Sequence, residues 1–244
     1  MKSEDWFSKW FDSPYYHILY QHHDIQDAKR LIDHLISYFK IRSTDRILDL
    51  ACGKGRHSVY LNQKGYNVVG IDLSAQNIQH ASLLANDQLL FLKHDMRYPL
   101  FINTFNYVFN LFTSFGYFEK EEENIQVLQS AHQALRENGK LVIDFFNPLK
   151  ISKNVIAQEK KILQGIEFLI TKKIEQSFII KTIDVTDGMQ NYHFSEKVQL
   201  ITQADFENYL KQSSFKLLEF MGSYALEPYH PETSDRLIVI AEKI

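Results

Sequence analysis

Ile47-Leu48-Asp49-Leu50-Ala51-Cys52-Gly53-Lys54-Gly55-Arg56 is an apolar run that ends in two glycines one residue apart. The run predicts a strand from Ile47 to Ala51. The amphipathic stretch Arg56 to Lys64, closed by Gly65 as a C-cap, predicts a helix behind it. The glycines between them let a ligand approach the backbone and the helix N-terminus. The same alternation continues downstream. Asn67 to Asp72, Leu89 to Lys93, Asn106 to Leu111 and Lys140 to Phe146 supply four more strands, and Ser74 caps a helix running toward Asn86. Glu119 to Asn138 is the clearest helix: Ile125, Leu128, Ala131 and Leu135 form one stripe, acids crowd its start and Gly139 follows its end. Alternating strands and helices from Ser43 to Asn147 imply a parallel sheet.

The texture changes after Pro148. Lys161 to Ile201 is rich in Ile, Phe, Thr and Val with partial period-two alternation, and Thr186-Asp187-Gly188-Met189 reads as a hairpin turn. Helical character returns at Gln203 to Gln212, followed by strands near Phe215 to Met221 and Arg236 to Ala241. Tyr15 to Tyr20 and Ile25 to Phe39 read as helices ahead of the first strand. The expected architecture is α/β: a Rossmann-like sheet of seven strands with helices on both faces, spanning 42–147 and 202–244. An N-terminal helical cap (1–41) and an antiparallel β insertion (148–201) complete it. A chain of 244 residues, 45% hydrophobic, can bury one such core.

A net charge of −3 leaves no broad basic field, which argues against a nucleic-acid partner held by phosphate neutralisation. One cysteine excludes an internal disulfide framework and suits a reducing compartment. The opening Met1-Lys2-Ser3-Glu4-Asp5-Trp6 lacks the apolar run of a signal peptide, and no stretch reaches the ~18 apolar residues of a membrane span. A cytoplasmic monomer or homodimer without membrane attachment is therefore expected. His22-His23 and the other histidines show no metal-ligand spacing, so no metal is expected.

Asp72, nineteen positions after Gly53 at the end of the second strand, is placed to accept from both hydroxyls of a ribose. Two ribose cofactors then compete. Asp49 would repel the pyrophosphate of NAD but attract the ammonium of S-adenosylmethionine, whose carboxylate suits the fork of Arg56. Ser58 also replaces the third glycine of the dinucleotide fingerprint. Asp95, after the third strand, would accept from the adenine amine while Met96 and Leu73 cover the ring faces. Asn110, at the end of the fourth strand, would lie nearest the methionyl moiety or else satisfy loop backbone.

These residues resemble class I S-adenosylmethionine-dependent methyltransferases. Ile47 to Gly55, Ala51 included, is similar to their first motif, Gly70-Ile71-Asp72-Leu73-Ser74 to the second and His94-Asp95-Met96-Arg97 to the third. Asn110 to Tyr117 and Ser234-Asp235-Arg236-Leu237-Ile238 look like segments of a bacterial small-molecule subgroup. Within it, the layout is similar to amino-sugar N,N-dimethyltransferases, including a segment like His193 to Thr202. The resemblance implies that Tyr16 and Tyr20 lie over the methyl donor. Tyr117 stands where the sugar enzymes carry an active-site histidine, a departure that separates the subgroup's chemistry from its substrate.

The expected activity is methyl transfer to an N or O nucleophile of a small molecule, with Tyr20, Tyr16 and Tyr117 positioning the acceptor. Tyr16 and Tyr20 are four apart and share a helix face. Methyl transfer from a sulfonium needs alignment and exclusion of water more than acid-base groups. Two other readings remain: an NAD-dependent oxidoreductase on the same sheet, and a module that binds S-adenosylmethionine without catalysis.

Overall fold

The computed structural model describes residues 6–20 and 25–244; the His22-His23 pair lies outside them. Three helices come first: α1 (Trp6–Phe11), α2 (Pro14–Leu19) and α3 (Ile25–Phe39). The alternating region follows as β1 (Arg46–Leu50), α4 (Arg56–Gln63), β2 (Asn67–Asp72), α5 (Ala75–Ser82), β3 (Leu89–Lys93), β4 (Phe105–Asn110), α6 (Glu121–Ala134) and β5 (Leu135–Phe146). A short α7 (Pro148–Lys153) leads into β6 (Gln158–Leu163), β7 (Ile166–Glu175), β8 (Phe178–Asp187) and β9 (Gln190–Gln199). The chain ends with α8 (Gln203–Gln212), β10 (Phe215–Met221) and β11 (Arg236–Lys243).

Seven strands form one sheet in the order β10-β11-β5-β4-β1-β2-β3, with β11 antiparallel to both neighbours. β1 pairs with β2 on one side and β4 on the other. The chain therefore leaves β1 in one direction and returns to its opposite side, which opens a crevice at the carboxyl ends of these strands. Period-two alternation dresses both faces. Leu48 and Leu50 join Leu128, Ala131 and Phe206 of α6 and α8, while Ile47 points the other way to Leu31, Ile32 and Leu35 of α3.

The N-terminal segment divides in a way the expected cap does not. Leu31, Ile32 and Leu35 are fully buried under the main sheet, so α3 belongs to its helical layer. Only α1 and α2 sit over the second sheet, where Trp10, Tyr15 and Leu19 pack on Phe168, Ile170, Ile183 and Val185. That sheet, β6-β7-β8-β9, is the expected antiparallel insertion, with its β8–β9 turn at Gly188-Met189. Gln199 at its end donates its backbone N–H to Gly116 O (2.8 Å) and accepts from Asn124 Nδ2 (2.7 Å), tying the insertion to the loop after β4. α6 stops four residues before Asn138, because Leu135 pairs with Phe105 and is fully buried as a strand residue. No helix among the described residues is long and apolar enough to cross a membrane.

Candidate functional site

The turn from β1 into α4 uses the left-handed region at Ala51, Gly53 and Gly55 (φ 57°, 56° and 81°). Asp72 fastens this turn to the next one: Oδ2 accepts from Gly53 N (2.9 Å) and Oδ1 from Ser74 N (2.8 Å). Burial raises its pKa, and these bonds oppose the rise. The two glycines differ. A Cβ on Gly53 would face open space, whereas one on Gly55 would lie 2.6 Å from Phe91 Cζ. Gly53 borders the ligand space, and at Gly55 the missing side chain makes room for the core.

A cavity of about 460 Å³ runs along the carboxyl edge of the sheet, within the size range of small-molecule sites. Leu73, Asp95 and Met96 line one end, Asp72, Ala51 through Lys54 and Arg56 the middle, and Leu111 to Ser114 the other end. Phe11, Tyr16, His17, Tyr20 and Tyr117 close it from the side of α1 and α2. The structure thus brings together Ala51, Gly53, Arg56, Asp72, Leu73, Asp95, Met96 and all three candidate tyrosines.

Asp49 and Asn110 lie just behind this lining. Asp49 is 1% exposed and accepts from Ser58 Oγ (2.6 Å), so the residue that replaces a third glycine holds the acid in place. Burial, joined by the charge of Asp72, pushes the Asp49 pKa up to about 7 against the Ser58 hydrogen bond. Asn110 donates to Leu50 O (3.1 Å) across the switch point between β1 and β4. Its Oδ1 is buried without a hydrogen-bond partner among the described residues. Asp95 accepts a fork from Arg97 (Nε to Oδ1 3.1 Å, Nη2 to Oδ2 2.7 Å), and Arg97 Nη1 reaches Glu123 (2.6 Å).

Two groupings escape a reading of the sequence. The first is Asp144, fully buried in β5. Its Oδ2 accepts from Phe112 N (2.9 Å) and its Oδ1 from Arg236 Nε (2.7 Å), while Arg236 Nη2 donates to Thr113 Oγ1 (2.9 Å). An acid inside the apolar run Val142-Ile143-Asp144-Phe145 was the available signal. Phe112 carries the Arg56 guanidinium 4.4 Å above its ring and stacks on Tyr224 at 5.4 Å.

The second grouping is Glu196 of β9. Its Oε1 accepts from Trp10 Nε1 and from Tyr20 Oη, both at 2.6 Å, and its Oε2 lies 3.4 Å from Lys181 Nζ. Lys181 also donates to the Tyr20 hydroxyl and sits 4.4 Å from its ring centre. The strand pairing places Lys181 directly opposite Glu196, a pair visible only once the register is known. Tyr16 packs 4.9 Å from Tyr20, and its hydroxyl takes no hydrogen bond from a described residue. Burial, reinforced by the Glu196 charge, raises the pKa of Tyr16, Tyr20 and Tyr117, so all three are protonated at neutral pH. Burial and the Lys54 charge lower His17 to about 4, which leaves it neutral and a weak base.

A family profile described as a methyltransferase domain matches residues 47–139. YqeM of Bacillus subtilis, a methyltransferase by name, is 36% identical over 110 residues, which cover 44% of this chain and 44% of that relative, less than half of its length. A dTDP-3-amino-3,4,6-trideoxy-alpha-D-glucopyranose N,N-dimethyltransferase of Streptomyces venezuelae is 23% identical over 66% of this chain and 71% of its own. In structure, an S-adenosylmethionine-dependent methyltransferase of Clostridium acetobutylicum superposes with a TM-score of 0.79, covering 94% of this chain and 96% of the other at 16% identity. The seven-stranded sheet has the fold of methyltransferases whose cofactor is S-adenosylmethionine.

The residues present fit that cofactor. Gly53 leaves open space where a side chain would stand, and Asp72, held by two backbone amides and the Asn77 side chain, keeps acceptor capacity to spare. Asp49 and Asp72 set two acids beside the ligand space, suited to a ligand that carries positive charge.

Proposed function

We propose that the protein transfers a methyl group from S-adenosylmethionine to the amine nitrogen of a small molecule. The observation that carries this reading is one cavity shared by two unlike walls. Gly53, Asp72 and Asp95 form one, and Phe11, Tyr16, Tyr20 and Tyr117 form the other. The cofactor supplies a methyl group already activated on a sulfonium. Asp72 would hold the ribose, Arg56 the carboxylate, and Leu73 and Met96 the adenine. Tyr16, Tyr20 and Tyr117 would orient the acceptor and keep water from it.

The choice of an amine over an oxygen nucleophile rests on the acceptor wall. A hydroxyl acceptor gains from a strong base beside it, but His17 at about 4 and protonated tyrosines offer none. A neutral amine attacks without one and sheds its proton afterwards to solvent. The similarity to an amino-sugar dimethyltransferase supports the same choice. The buried, unpaired Cys52 suits a reducing, cytoplasmic setting, and a monomer or homodimer is the assembly proposed. Titration with S-adenosylhomocysteine and with NADH tests the cofactor half. Transfer of labelled methyl from S-adenosylmethionine to a panel of amines and matched alcohols tests the acceptor half. Binding of NADH but not S-adenosylhomocysteine would overturn the reading, and binding without transfer to any acceptor would favour a non-catalytic module.

A further inference from the structure

We propose that Asp144 and Arg236 are positioning residues that set the affinity for the amino-acid end of S-adenosylmethionine from outside the cavity, acting through Phe112 and Thr113. This rests on the cofactor reading above. Neither Asp144 nor Arg236 lines the cavity, yet between them they hold two successive residues that do. Asp144 accepts from Phe112 N through its side chain (2.9 Å) and from Thr113 N through its backbone carbonyl (2.9 Å). Arg236 donates Nε to Asp144 (2.7 Å) and Nη2 to Thr113 Oγ1 (2.9 Å). Both held residues stand in the left-handed region, Phe112 at φ 58° and Thr113 at φ 56°. A bulky aromatic and a β-branched residue avoid that region unless their surroundings impose it. Here a buried ion pair with four directed hydrogen bonds imposes it.

The consequence is a fixed place for the Phe112 ring, beneath Arg56 at 4.4 Å and beside His57 at 5.1 Å. The strand order says which part of the ligand this concerns. Asp72 ends β2 and Asp95 follows β3 on one side of β1, while Leu111 to Ser114 follow β4 on the other. With adenosine on the first side, the carbon chain beyond its sulfur extends to the second. There Phe112 and Arg56 form the wall.

Calorimetry with two ligands tests this. S-adenosylhomocysteine carries the amino-acid end; methylthioadenosine shares the adenosine and sulfur without it. Arg236→Gln should weaken S-adenosylhomocysteine about tenfold, the scale of a lost charged hydrogen bond, and leave methylthioadenosine within about twofold. Because Arg236→Gln strands the buried Asp144 carboxylate, Thr113→Val serves as a second arm. It keeps the ion pair and the residue's shape, and about a threefold loss, again confined to S-adenosylhomocysteine, is expected from one neutral bond. Equal losses for both ligands would reduce the pair to general fold support and overturn the proposal, as would unchanged affinity for S-adenosylhomocysteine in folded variants. Failure of the unsubstituted protein to bind S-adenosylhomocysteine would instead overturn the cofactor reading.

Discussion

The two walls of the cavity are made in different ways. The cofactor side is mostly backbone: left-handed turns at Ala51 and Gly53, with one carboxylate, Asp72, clamping two loop amides. The opposite side is side chain throughout, with Trp10, Tyr20, Lys181 and Glu196 joining α1 and α2 to the strands of the second sheet. A wall built of main-chain geometry fixes its ligand narrowly, since few residue types can adopt it. A wall built of side chains from two short helices and a loop can be rewritten one residue at a time without disturbing the sheet. In the proposed function, cofactor identity belongs to the first and acceptor identity to the second. If that division is right, substitutions on one side should leave the other's readout alone.

The largest effect is expected at Glu196. Glu196→Ala removes the acceptor of both Trp10 Nε1 and Tyr20 Oη and strands Lys181, whose side chain is 15% exposed. Removing one partner of a buried pair costs about 3–5 kcal/mol; the residual exposure here argues for about 3 kcal/mol in urea denaturation. S-adenosylhomocysteine affinity in the folded protein should hold. A parallel fall in affinity would break the division. On the other wall, Asp72→Ala should weaken S-adenosylhomocysteine by about 1–3 kcal/mol, the cost of a lost charged partner, while the cap stays docked. Calorimetry reads the first change and protection of the α1–α2 amides from exchange reads the second.

How far the sequence reveals these walls follows from their construction. Gly53, Asp72 and the strand ends are readable because backbone conformation restricts residue type, and β2, β3, α3, α8 and β10 fall where periodicity sets them. Glu196 and Lys181 carry no such mark, since fifteen residues separate them and only strand register brings them together. α6 shows the opposite failure: its apolar stripe runs on into Leu135, but pairing with Phe105 turns that residue into strand. Periodicity reports which residues are buried, and tertiary pairing decides in what form. The packing demand on Gly55 is not legible, because Phe91, which fills the space above it, lies thirty-six residues away in β3.

A smaller effect separates the two acids of the cofactor wall. The folded-state pKa of Asp49, pushed up to about 7 by burial, exceeds its ordinary value of about 4. The folded protein therefore holds a proton there that the unfolded chain releases. The stability this group contributes is full below about pH 4 and lost as pH rises through about 7. A nearby cationic ligand draws the pKa back down, so binding expels the proton. S-adenosylhomocysteine affinity should rise from about pH 6 to about pH 8, by no more than roughly 1 kcal/mol. Methylthioadenosine, without an ammonium, should show little slope, and Asp49→Asn should flatten the slope for S-adenosylhomocysteine. A slope that persists in Asp49→Asn would assign the proton to another group. His17 at about 4 and His57 at about 3 titrate below this window.

The finest test lies within the acceptor wall, between Tyr16 and Tyr20. The Tyr20 hydroxyl donates to Glu196 (2.6 Å) and accepts from Lys181, so most of its hydrogen-bonding capacity is used inside the protein. Tyr16 lines the same cavity, lies four residues earlier on the same helix face, and its hydroxyl has no described partner. Tyr20→Phe should therefore act first on stability, lowering it by about 1–2 kcal/mol through the lost bond to a carboxylate. Turnover should fall because the wall shifts. Tyr16→Phe should leave stability within about 0.5 kcal/mol and lower kcat/KM for the amine about fivefold, close to 1 kcal/mol, the size of a single neutral hydrogen bond to the acceptor. Neither change should move S-adenosylhomocysteine affinity by more than about 1 kcal/mol, since neither hydroxyl belongs to the cofactor wall. Should Tyr20→Phe keep its stability and lose more kcat/KM than Tyr16→Phe, the two tyrosines would exchange roles. The Glu196 network would then serve to aim the Tyr20 hydroxyl at the acceptor, and the side-chain wall would be a chain of coupled groups in which no residue could be replaced independently of its neighbours.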